Sequence, residues 1–140
     1  MGGSMLRSVD AAQALADLTE ISSQIVHVAI VDGNGAVSAS TLDDERRAGV
    51  FAEGVARLLE EADAARGARG LDELVQLEAA TFEGSIFIVR SATDSSYIAA
   101  VTRPEPTVGL VFYDLKHCLK SVGAVPAPRP PRRKKADASA

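Results

Sequence analysis

Four places in this 140-residue chain hold residue types that could do chemistry. Asp43, Asp44 and Glu45 set three carboxylates in a row, the raw material of a cation site. His117 and Cys118 put an imidazole beside a thiol. Gly33-Asn34-Gly35 has the small residues of a phosphate loop, and His27 stands among apolar neighbours. Each has a plainer reading. Three acids that open a helix are explained by the helix dipole, which favours negative charge there. Successive helical residues diverge by about 100°, so His117 and Cys118 cannot act on one atom. Gly33-Asn34-Gly35 lacks the Gly-Lys-Ser/Thr of a nucleotide-binding loop and has no strand-to-helix context. His27 reads as a buried or interface histidine satisfied by a neighbour, ahead of a pH switch or a ligand. No catalytic set, metal site or cofactor motif remains, so the expectation is a protein that is not an enzyme.

The composition sets further bounds. Hydrophobic residues make up 46% and charged residues 24%, which is ordinary globular usage with room for one core. No apolar run is long enough to span a membrane, and no secretory signal is evident. Met1–Ser4 read as a cloning scar before a second methionine, Met5. A single cysteine excludes an internal disulfide and fits a reducing, cytoplasmic setting. Tryptophan is absent and aromatics are 4%, which argues against base-stacking surfaces for nucleic acid. Net charge is −4, unevenly placed: residues 123–140 carry +4, which leaves −8 for the rest. An acidic globule with a short basic tail is not a typical nucleic-acid-binding domain.

The elements that must position these residues follow from periodicity. A helix is expected over 9–22, with Ser8 as its cap and Leu15, Leu18 and Ile21 on a narrow apolar face. Residues 25–32 form a strand apolar on both sides, with Val26, Val28 and Ile30 on one and Ile25, Ala29 and Val31 on the other. Asp32-Gly33-Asn34-Gly35 turns it into a short polar edge strand over 36–41. The best-marked element is a helix over 43–67, capped by Thr41, with Ala48, Phe51, Val55, Leu58, Leu59, Ala62 and Ala65 along one face. Three strands follow. That over 71–80 alternates cleanly and reads as a second margin; those over 85–91 and 96–102 are apolar on both faces and read as central. A last helix over 107–122 carries Val108, Val111, Phe112, Leu115, Leu119 and Val122. From Gly123 the chain is Pro, Ala, Arg and Lys without periodicity, expected to be a disordered tail. The order helix-strand-strand-helix-strand-strand-strand-helix, with two-sided strands, calls for a three-layer α/β/α sandwich around a five-stranded antiparallel sheet.

This order resembles the roadblock / dynein light-chain family. The likeness covers about 9–122 and is carried by Val28-Ala29-Ile30-Val31-Asp32-Gly33-Asn34-Gly35, by Gly84 to Val89, and by Val108-Gly109-Leu110-Val111-Phe112-Tyr113. The resemblance implies the strand order 2-1-5-4-3 and a domain over 5–122. It implies a homodimer made by pairing third strands and packing the long middle helices. Ala48, Phe51, Ala52, Val55, Leu59 and Ala62 of the helix, with Leu74, Gln76 and Glu78 of the strand, are the expected interface. Bacterial members bind and regulate Ras-like small GTPases, so the resemblance implies such a partner, met by Arg46, Arg47, Glu53 and Arg57 on the helix's outer face. Two other readings stay open: a structural dimerisation scaffold in a larger assembly, and a profilin-like domain sensing a small ligand. The basic tail, outside the family core, is read first as a solubilising appendage, next as a contact for an acidic partner or an anionic membrane, and last as a nucleic-acid contact.

Overall fold

The structure, a computed structural model, describes residues 2–67 and 75–123, and side chains within 11–67 and 75–122. The elements run α1 (Gly2–Ile21), β1 (Ile25–Val31), β2 (Val37–Ser40), α2 (Glu45–Ala65), β3 (Gln76–Thr81), β4 (Gly84–Arg90), β5 (Tyr97–Thr102) and α3 (Val108–Gly123). All strand pairs are antiparallel, and the sheet order is β2-β1-β5-β4-β3. The expected sandwich and strand order are thus present. No helix among the described residues is long and apolar enough to cross a membrane.

Two cores lie on the two faces of the sheet. Leu15 and Leu18 of α1 and Val111, Leu115 and Leu119 of α3 close over Val28, Ile30, Phe87, Val89, Ile98 and Ala100. Phe112 meets Phe87 edge-on at 4.9 Å between ring centroids. On the other face, Ala52, Val55 and Leu59 of α2 pack on Val31, Ile88, Tyr97 and Ala99. Each fully buried large aliphatic side chain contributes about 1.5–3 kcal/mol. The double-sided strands therefore have a cause: the pleat sends alternate side chains into separate cores.

Four expectations need correction. The first helix begins at Gly2, not residue 9, so Ser8 is a helical residue and not its cap. The second is the division of β1. A bulge between Ile25 and His27 inserts Val26, which is 52% exposed, and Ile25 falls into the core with Val28 and Ile30. An extra residue reverses the alternation on its N-terminal side. Third, Thr41 does not cap α2. Its hydroxyl accepts from the Val28 amide (2.9 Å), and Asp44 is the cap, accepting from the Arg46 amide at 2.9 Å. Fourth, the third strand is described from Gln76, one residue beyond Val75; expected strand residues 71–74 lie outside the described residues.

Gly84 shows how tightly β4 meets β5. Its φ is +144°, and a Cβ there would collide with the Thr102 carbonyl oxygen. Only glycine tolerates both constraints.

Candidate functional site

α2 is positioned from both ends. Asp44 caps its start, and near its C-terminal end Asp63 accepts from Arg90 Nη2 of β4 through both carboxylate oxygens, at 3.1 and 3.0 Å. Arg66 approaches the same carboxylate at 3.9 Å. Mid-helix, the Tyr97 hydroxyl donates to the Ala52 carbonyl at 3.0 Å. Burial of that hydroxyl raises the Tyr97 pKa. The helix is thus fixed over β1, β2 and β5, and its phase decides which residues face outward.

That phase places Arg46, Arg47, Glu53 and Arg57 in solvent. Arg46 and Arg47 do more than stand apart. With His27, Leu42, Val50 and Phe51 they line a recess of about 310 Å3 where β1 meets the start of α2. His27 meets Phe51 edge-on at 5.5 Å. Burial, and then the Arg47 charge, lower the His27 pKa below 6.5, so its neutral form is favoured. Val50 is 63% exposed beside the two arginines. An apolar tip flanked by guanidinium groups suits a protein partner that offers carboxylates around a hydrophobic spot. Sequence reasoning passed over Val50. The available signal was a valine on an otherwise charged helical face.

The expected dimer residues are divided. Ala48, Ala52, Val55 and Leu59 are buried at 6% exposure or less, packed inward on α2's sheet-facing side, so they serve the fold and are not surface for a second copy. Phe51 and Ala62 are half-buried at the margins of the helix. Gln76 and Glu78 are half-buried on β3 and face the α1/α3 layer, where Glu78 accepts from the Ser85 hydroxyl at 3.3 Å. Leu74 lies outside the described residues.

A different surface is left open beside α2. Toward β3 the cover thins: Leu77, Ala79, Ile86 and Val101 are only half-buried and Val75 is 47% exposed on the same face. Among the described residues β3 is also an edge, with one side unpaired. An apolar sheet face beside a free strand edge is normally covered in the working state of a protein.

The remaining candidates take their plainer readings. Asp32 Oδ1 accepts from the Asn34 and Ala36 amides at 2.9 and 3.0 Å, and Gly35 has φ +89°, so this segment is a hairpin turn. Gly33 sits under the Asp94 carbonyl, where a Cβ would collide. His117 points outward and stacks on Tyr113, whereas Cys118 is buried with Sγ donating to the Ala14 carbonyl at 3.7 Å. Burial, reinforced by Asp17, pushes the Cys118 thiol up to about 11, so it is not a nucleophile at neutral pH. Among the described residues no group of three or more His, Cys, Asp or Glu could hold a metal ion.

No family model matches the sequence, and no curated protein matches it. Solved structures do. A Roadblock/LC7 domain from Streptomyces avermitilis is 19% identical, with a TM-score of 0.60 over 81% of this chain and 96% of that one. The gliding protein MglB from Thermus thermophilus is 12% identical, with a TM-score of 0.70 over 85% of this chain and 90% of that one. LokiProfilin1, in a complex with rabbit actin, is 14% identical with a TM-score of 0.54 over 79% of this chain and 91% of that one. At these identities the likeness concerns the fold, which by itself does not fix a function. The chain has the fold of Roadblock/LC7 domains, and the resemblance read from its sequence holds in three dimensions.

Proposed function

We propose that this chain is a non-catalytic, cytoplasmic, homodimeric regulator or adaptor of a Ras-like small GTPase. The observation that carries the reading is the uncovered half of the sheet: Val75, Leu77, Ala79, Ile86 and Val101 beside the free edge of β3. A second copy related by a two-fold axis would pair β3 with β3 and bring its own α2 over this face, each copy covering the other. The paired α2 helices would then present Arg46, Arg47, Val50, Glu53 and Arg57 twice on one surface. A GTPase meeting that surface would be held in the switch conformation that fits it, by differential contact and with no catalytic group supplied. Light scattering tests the dimer: the mass should be twice the 14.6 kDa of the chain. A single-chain mass at tens of micromolar would overturn the arrangement.

A further inference from the structure

A recess on the opposite face of the sheet has no part in that reading. It lies between α3 and the β4–β5 turn, holds about 660 Å3, and is floored by Val89, Ala92 and Leu119. One wall is α3, which contributes Tyr113, Lys116, His117 and Lys120; the other is the turn, with Ser91, Thr93, Asp94 and Ser96. We propose that this recess binds a phosphate ester of a planar aromatic body.

The charge is local and unspent. Lys116 and Lys120 stand one helical turn apart, where like charges repel. Among the described residues neither makes an ion pair. Arg90 also borders the recess, but its guanidinium is held by Asp63 on the other side of the sheet. The acid in the wall is occupied: Asp94 Oδ1 accepts from the Ser96 amide (3.0 Å) and the Ser96 hydroxyl (2.7 Å), bonds that hold its pKa below the usual carboxylate range. The free side-chain charge is therefore +1, two lysines against Asp94, in a chain whose net charge is −4. An anion finds here a locally positive patch.

Ser91 Oγ and Thr93 Oγ1 lie 3.0 Å apart, and Ser91 also bonds the Asp94 carboxylate, so the turn's polar groups are paired with one another. The phosphate would sit against the two ammonium groups, each a charge-assisted donor. The aromatic part is set by the next pair of residues. The Tyr113 and His117 rings are parallel to within 4°, with centroids 6.2 Å apart. Tyr113 is 65% exposed, so its ring is open to a ligand beside the lysines. Rings on a ligand stack on such a face, and an apolar floor of Val89 and Leu119 receives its edge.

Isotope-labelled full-length chain titrated with phenyl phosphate tests the site. Saturable amide shifts are expected in 91–96 and 113–120, with a dissociation constant of about 1 mM or tighter for a ligand of this size. The double variant Lys116→Gln/Lys120→Gln changes two exposed residues, should keep the wild-type spectrum, and should bind at least about tenfold more weakly. Inorganic phosphate should bind more weakly than phenyl phosphate; equal affinity would overturn the aromatic part. The site itself is overturned by no saturable shift, by shifts outside the recess, or by an unchanged affinity in the double variant.

Discussion

Leu77→Asp separates the fold from the proposed dimer. Leu77 is half-buried against the α2-side core, so in a single chain the new carboxylate can reach water. The loss there is part of one leucine's burial, about 1 kcal/mol. In a domain of this size that lowers the melting temperature by about 3–5 °C. In the two-fold dimer the same position is covered by the second copy, and symmetry places the defect there twice. An unpaired carboxylate taken out of water costs about 3 kcal/mol or more, so two cost about 6 kcal/mol. That weakens association by roughly four decades. Sedimentation velocity across a concentration series, with thermal unfolding in parallel, reads both numbers. Leu110→Asp is the control, since Leu110 is 49% exposed on α3 and far from this face. The reasoning is refuted if Leu77→Asp dimerises with wild-type affinity, or if Leu110→Asp dissociates the dimer as strongly.

Other outcomes follow from particular groups. Gly84→Ala should lose about 2–5 kcal/mol, because collision with the Thr102 carbonyl adds to a φ of +144°; urea unfolding measures it, and a loss under about 0.5 kcal/mol would be wrong for this geometry. Cys118, its thiol pushed up to about 11, should resist alkylation at pH 8 in the folded protein and react once urea unfolds it; rapid labelling of the native chain would contradict its burial. His27 has a folded pKa below 6.5, so as pH falls below 6.5 the unfolded chain takes up the proton first. Stability should therefore be fully present above pH 6.5 and fall as pH drops toward the folded pKa, and His27→Gln should flatten that slope. An unchanged slope in the variant would show that other groups set it.

Much of the architecture is legible in residue patterning. β4 and β5 read as central because both alternating sets are apolar, and the two cores account for that. The phase of α2 is carried by Ala48, Ala52, Val55 and Leu59, all of them buried. What patterning misses has physical causes. The Val26 bulge is invisible to a strict two-residue period, so Ile25 lies on the side opposite to the one that period assigns it. Thr41 and Asp44 are both good caps, and only the Val28 amide shows why Thr41 is engaged elsewhere. The helical face that suggested a dimer seam is the face that its own sheet consumes, an ambiguity inherent in any single amphipathic stripe. Neither the open sheet half nor the α3 recess could be read. The recess joins Ser91 and Thr93 to Lys116 and Lys120 across more than twenty residues, a juxtaposition that only the sheet order creates.

The regulator reading is tested most directly by GTP turnover. A Ras-like GTPase encoded beside this chain, mixed with it in excess, should form a complex and change its rate of hydrolysis or nucleotide exchange. Arg46→Glu/Arg47→Glu should abolish both effects and keep the two-chain mass, because these side chains lie in solvent at the start of α2. No complex and an unchanged turnover with the wild-type chain would contradict the account.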